Sequence, residues 1–239
     1  MNAQGHSILS HLESVVEQRR LRAADPALRH RVHEVKQFQQ ARFRHSYADL
    51  LSQPRYSRAA RFFLEELYGP GDFAHRDGQF ARVVPGLVRL FPQEIVGTVA
   101  ELGELHALSE ALDTAMGQAL VSPKLDATGY CDAWRAVGRA SDRERQITLM
   151  LGVGSDLDRY THRAMLRHSL RLMRGPASAA GLGALQRFLE SGFDTFREMR
   201  GAEYFLNTIA QRERALADLL FASDPVSARA ALPPEASAA

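Results

Sequence analysis

Apolar residues recur at three- and four-residue spacing along nearly the whole chain. No stretch alternates apolar and polar positions with the β-branched enrichment of a strand. The pattern predicts an all-α fold, an irregular domain of about eight helices packed in more than one layer. A first helix is expected over 7–23. Asp25-Pro26 is a helix start, with Asp at the N-cap and Pro in the first turn. It opens a helix to about residue 51 whose stripe begins Leu28, Val32, Val35, Phe38. Pro54 ends it, a third helix follows over 56–68, and a fourth over 73–90 bends near Pro85, where a ladder hydrogen bond is lost.

Pro92 starts a long helix to about Leu120, and a short one carries Tyr130 and Trp134. Ser141 and Glu144 have the spacing of a capping box. The helix they open runs on into Met173 or breaks near Gly152-Val-Gly154. Gly175-Pro176 reads as a stop, and helices over 178–199 and 202–221 complete a single domain spanning 1–222. The remainder, 223–239, is rich in Ala, Ser and Pro and reads as a disordered tail, too poor in apolar surface to offset its ordering entropy.

Polar residues that interrupt the apolar stripes are the candidates for chemistry. In Arg61–Asp77 an aromatic-rich helix stops at Gly69-Pro70-Gly71 and a His-Arg-Asp triplet follows. At about 100° per residue, Glu65 points away from the apolar face and Glu66 falls on its border. A carboxylate there needs a cation or donors, and the fork of Arg76 is the natural partner. Glu66, His75, Arg76 and Asp77 would then form a polar pocket for proton transfer or metal binding. The alternative is a structural ion pair that fixes the turn, with Asp72 capping the next helix.

A second interruption lies on the helix after Pro92, where the stripe Ile95, Val99, Leu102 continues into His106, Glu110 and Asp113. His106 and Glu110 at i,i+4 can face one point, which makes the three weak candidate metal ligands. No Glu-x-x-His pair, His-Glu-x-x-His motif or zinc-type Cys/His spacing accompanies them. A third feature is arginine: Arg163, Arg167, Arg171 and Arg174 recur at helical spacing, with no acidic residue between Arg163 and Glu190. Such a ridge suits an anion or an acidic partner surface, or else an acidic helix elsewhere in the fold.

Composition narrows the classes further. The chain has 239 residues, 45% hydrophobic and 24% charged, as in ordinary folded proteins. No apolar run approaches the ~18 residues of a membrane span, and no signal-peptide core is present. A single cysteine, Cys131, excludes an internal disulfide and fits a reducing compartment, so a cytoplasmic location is expected. Basic charge is almost wholly arginine, with only Lys36 and Lys124 as lysines. Residues 1–61 carry eleven Lys/Arg against five Asp/Glu, a basic lobe that could meet an anionic partner. No recognition-helix motif supports nucleic acid. Nucleophile elbows and phosphate loops after a strand are absent, so the sequence identifies neither an enzyme class nor a cofactor.

Several segments together carry a family likeness: Phe62-Phe-Leu-Glu-Glu-Leu-Tyr-Gly69, Arg76-Asp77, Leu105-His-Ala-Leu-Ser-Glu110, His168-Ser-Leu-Arg-Leu-Met-Arg-Gly-Pro176 and Phe188-Leu-Glu-Ser-Gly-Phe-Asp-Thr-Phe196. On these the chain resembles an uncharacterised all-α family of proteobacterial hypothetical proteins. The resemblance implies a bacterial, single-domain helical protein and assigns no activity. The leading functional expectation is a non-enzymatic interaction or regulatory protein, self-associating or engaging an acidic protein partner through the arginine ridge. The second is a helical enzyme or metal- or cofactor-binding protein built on the Glu/His/Asp pocket.

Overall fold

The computed structural model describes residues 2–67, 74–121, 125–222 and 225–233. The described chain is all α, with thirteen α-helices and one π-helical turn. The expected break at Gly69-Pro70-Gly71 and the expected cap at Asp72 lie outside the described residues.

Helix α1 (Ala3–Ala24) is capped by Asn2, whose side chain accepts from the Gly5 amide. Asp25 then caps α2 (Pro26–Ser46), its carboxylate accepting from the amides of Ala27 and Leu28, both at 3.0 Å. The expected single helix to residue 51 is divided at Tyr47, and α3 (Ala48–Ser52) follows. Next come α4 (Ser57–Phe62) and the π-helical turn Phe63–Leu67. Helix α5 (Ala74–Leu90) carries Pro85 inside it, and α6 (Gln93–Ala119) is the longest. Gly138, in the left-handed conformation at φ 62°, ends α7 (Ala127–Val137).

Helix α8 (Ala140–Thr161) passes through Gly152 and Gly154 without a break. Its start departs from the expected capping box: Arg139 is the N-cap, and Glu144 instead meets Arg214 at 2.7 Å. The break falls at His162–Arg163, before α9 (Ala164–Leu172). Gly175-Pro176 is not a stop but sits in the first turn of α10 (Arg174–Ala179), where proline costs no helical hydrogen bond. Gly181, at φ 70°, separates it from α11 (Gly183–Met199), and α12 (Glu203–Phe221) follows.

Helix α6 is the centre of the packing, touching α1, α2, α5, α7 and α8. Helix α8 lies on it and in turn carries α11 and α12, which gives the layered arrangement. Two glycines set the closest crossings. A Cβ on Gly117 of α6 would lie 2.5 Å from Val32 Cγ2 and 3.2 Å from the Val32 backbone nitrogen. A Cβ on Gly154 of α8 would lie 2.7 Å from Leu206 of α12. Apolar burial is distributed over three clusters: one around Phe63, Phe196 and Phe205, one around Tyr130 and Trp134, and a smaller one joining α1, α5 and α6 through Ile8, Val84 and Val96.

Part of the expected disordered tail is ordered. Helix α13 (Pro225–Ala230) packs on α7 and α12, and it buries Ala228 and Leu232 beside Trp134, Leu216 and Leu220. The small-residue composition that reads as disorder here lets the segment lie close against the body. Leu232→Ala is expected to lower the unfolding free energy by about 2 kcal/mol, the low end for a buried leucine. Urea denaturation measures it, and an unchanged midpoint would show that the terminal turn contributes nothing.

Candidate functional site

Three helices change from apolar to polar along the same buried stripe, and they do so at the same level. In α1 the buried stripe Ile8, Leu12, Val15 continues at helical spacing into Arg19 and Arg22. In α2 the stripe Leu28, Val32, Val35 continues into Gln39, with Lys36 beside it. In α6 Val99 and Leu102 lead to His106, Glu110 and Asp113. Because α6 packs against both α1 and α2, the polar ends meet. Glu110 accepts from Arg22 and, at 2.6 Å, from Lys36 Nζ. Lys36 Nζ also lies 3.8 Å from Asp113, and Gln39 Nε2 donates to Asp113 Oδ1 at 3.1 Å.

A second polar group stands next to the first. Asp77, on the first turn of α5, accepts at one carboxylate oxygen from Arg19 Nη2 at 2.6 Å and from His106 Nε2 at 2.8 Å. The donation fixes the ring, so in neutral His106 the Nδ1 atom carries the lone pair and can accept from a ligand. Arg76 donates to Glu66 at 2.6 Å and lies 4.2 Å above the Phe188 ring. The expected Arg76–Glu66 pairing is therefore present.

Between these groups lies a cleft of about 170 Å³. Its polar wall holds Asp77, His106, Lys36, Glu110, Asp113 and Ser109. Its apolar wall is formed by Phe80, Leu87, Val99, Leu102, Met150 and Leu189, drawn from α5, α6, α8 and α11. Ser109 Oγ accepts from Gln146 Nε2 at 2.8 Å, which orients the hydroxyl at the cleft wall.

The electrostatics separate two neighbouring carboxylates. Burial acts against ionisation of Glu110, but the charges of Lys36 and Arg22 and the hydrogen bonds from both prevail and hold its pKa down at about 2. Asp113, one turn on, is pushed up: burial and the nearby Glu110 charge outweigh the help of Lys36 and Gln39. Asp77 is held below the ordinary carboxylate range, since His106 and Arg19 together outweigh its burial. Burial also pulls the Arg76 guanidinium below its usual value, against the pull of Glu66 and Asp77. The cleft thus sets carboxylates held below their ordinary range beside one that burial and a neighbouring charge push above it.

The candidate residues divide unevenly. Glu66, Arg76, Asp77, His106, Glu110 and Asp113 all line the cleft. His75 does not: it is exposed, and its Nε2 accepts from Gln79 at 2.7 Å. The expected metal set of His106, Glu110 and Asp113 is not assembled. Among the described residues, no group of three or more His, Cys, Asp or Glu is placed to hold a metal ion. The i,i+4 spacing does put the three on one face, but cations already occupy Glu110 and His106 donates to Asp77.

The arginine ridge is also not what its spacing implies. It crosses two helix breaks, so its members do not lie along one helix. Three have intramolecular partners: Arg163 meets Glu94 at 3.2 Å, Arg167 lies 3.7 Å from Asp194, and Arg174 meets Glu190 at 2.7 Å. These carboxylates come from α6 and α11, beyond the acid-free segment that suggested free charge.

Arg19, Arg22, Lys36, Gln39 and Ser109 had no place among the candidates. Arg19, Arg22 and Gln39 carried a legible signal, being polar residues in register with an apolar stripe. Ser109 carried none.

A family model described as a domain of unknown function (DUF8198) matches residues 18–227, and the chain belongs to that family. No curated protein and no solved structure matches the chain. Among the described residues, no helix is long and apolar enough to cross a membrane.

Proposed function

We propose that this member of the DUF8198 family binds an amphipathic small molecule in the cleft, as a substrate, cofactor or regulatory ligand. The observation that carries the reading is a single volume of about 170 Å³ lined by many apolar side chains together with a few convergent polar ones. Such an arrangement, a mostly apolar concavity with a few convergent polar groups, is the usual form of a small-molecule site. The ligand's apolar part packs against Leu102, Met150 and Leu189. Its polar group meets His106 Nδ1, the Ser109 hydroxyl and the Lys36–Glu110–Asp113 group.

A ligand with hydrogen-bond donors suits this wall better than an anion. Four carboxylates, Glu66, Asp77, Glu110 and Asp113, line the cleft against the two cations Lys36 and Arg76, whereas Arg19 and Arg22 support the carboxylates from α1 without lining it. The alternative of an interaction protein working through the arginine ridge loses support, because Glu94 and Glu190 already answer two of its charges and the ridge does not run along one helix.

The test combines native mass spectrometry of gently purified protein with titration of an environment-sensitive anilinonaphthalene dye. Leu102→Trp fills the apolar wall and is expected to remove any co-purified mass and weaken dye binding at least about tenfold. Val121→Trp, at a fully exposed position, controls for the added indole. A folded Leu102→Trp protein that keeps its ligand mass, or binds the dye as the parent does, would refute the cleft as the site.

A further inference from the structure

A second depression, of about 270 Å³, lies where α8 ends and α9 crosses α11. Thr161 and His162 come from the end of α8, Arg167, His168 and Arg171 from α9, and Arg197 from α11. Among the described residues, no carboxylate lines it. We propose that this depression binds the dianionic phosphate group of a small molecule, either free phosphate or a phosphomonoester.

Three observations support the assignment. First, the flanking arginines differ from those at the centre. Arg163 and Arg174 are paired with Glu94 and Glu190, whereas Arg171 and Arg197 have no carboxylate within ion-pair distance among the described residues. Second, Arg167 Nε is buried yet makes no hydrogen bond, and the nearest carboxylate, Asp194, stands 3.7 Å away, too far for one. A buried donor left open in this way is costly unless something accepts from it. Of the carboxylates near these three guanidinium groups, Glu190 and Glu198 are already paired with Arg174 and Arg58, which leaves Asp194 and an excess of positive charge that a dianion neutralises.

Third, the adjoining depression provides an internal contrast. It shares Arg167 and Arg197 and adds Arg200, but Asp194 and Glu198 also line it, so its charge is largely answered from within. Planar guanidinium forks suit the tetrahedral oxygens of a phosphate, and each ring N–H of His162 and His168 adds a donor. The assignment is independent of the apolar cleft, since none of these residues lines it.

The test is isothermal titration of the full chain with inorganic phosphate and with phenyl phosphate, at low ionic strength, with chloride as the monoanion control. Both phosphates are expected to bind with a dissociation constant of about 1 mM or tighter. The double variant Arg171→Gln/Arg197→Gln is expected to weaken both by at least about tenfold. The double variant Arg163→Gln/Arg174→Gln removes equal charge outside the depression and is expected to leave affinity within about twofold. Tighter binding of phenyl phosphate would identify a phosphomonoester as the ligand, and equal binding would identify free phosphate. Failure of both to bind at about 10 mM overturns the proposal. So does equal weakening in the two double variants, or uptake of a nucleic-acid duplex without either small phosphate.

Discussion

Glu110→Ala is expected to cost about 3–5 kcal/mol of stability, the largest single loss in the molecule. The carboxylate is buried at the crossing of α1, α2 and α6, where it answers both Arg22 and Lys36. Removing it strands buried Arg22 and half-buried Lys36 with Asp113 as the remaining carboxylate of the group, 3.8 Å from Lys36 Nζ. Urea denaturation at neutral pH reads the loss. Adding Lys36→Met to the variant should recover part of it, because one stranded charge then disappears. A loss below about 1 kcal/mol would mean that water reaches the cluster and solvates the cations.

The same residue sets the acid limb of the stability profile. Glu110 is depressed from 4.5 to about 2 in the folded chain, so its stabilisation is complete above the unfolded value and is lost as pH falls through about 2. A depression of that size corresponds to about 3 kcal/mol. Asp113 has the opposite sign: its folded pKa is raised, so it favours the folded state while protonated and weighs against it once ionised. In the Glu110→Ala variant the steep loss between about pH 4.5 and pH 2 should flatten.

Gly117→Ala is the second large effect, expected to cost about 1–3 kcal/mol although alanine is the better helix former. The added methyl would sit 2.5 Å from Val32 Cγ2, and turning that side chain away does not solve the problem, because the Val32 backbone nitrogen is only 3.2 Å off. Helix α2 must move as a body, and Lys36 and Gln39 move with it. Gly154→Ala should cost less, since its contact is the end of the Leu206 side chain, which can rotate. Thermal denaturation of the two variants side by side checks the order. Equal losses would mean that α2 slides on α6 as freely as Leu206 turns.

The helical class and most of the long elements were legible because the 3.6-residue period is written in the apolar stripes themselves. The aspartate cap at the start of α2 illustrates how far local chemistry reaches, whereas α1 starts at Ala3, four residues before the expected start. The helix breaks were less legible. Tyr47 and His162 end helices without glycine or proline, whereas the end at Met173 was expected. In the cleft, Asp77 and His106 were each visible as polar interruptions. Their meeting at 2.8 Å depends on how α5 docks on α6, which no local pattern encodes. The arginine ridge misled for the same reason, since its partners Glu94 and Asp194 lie 69 and 27 positions from Arg163 and Arg167 in the numbering.

Glu213, on α12, accepts from Arg42 at 2.6 Å and from the Tyr47 hydroxyl at 2.7 Å, and all three side chains are buried. A ribosome that has made the first two hundred residues has made Arg42 and Tyr47 but not Glu213, which both of them meet. Up to that point the buried Arg42 lacks the carboxylate it meets in the finished fold. The nascent chain therefore cannot close this part of its core helix by helix as it emerges. Closure waits for α12, and through most of synthesis the apolar faces around Phe43 and Phe63 remain open to whatever protects unfinished chains.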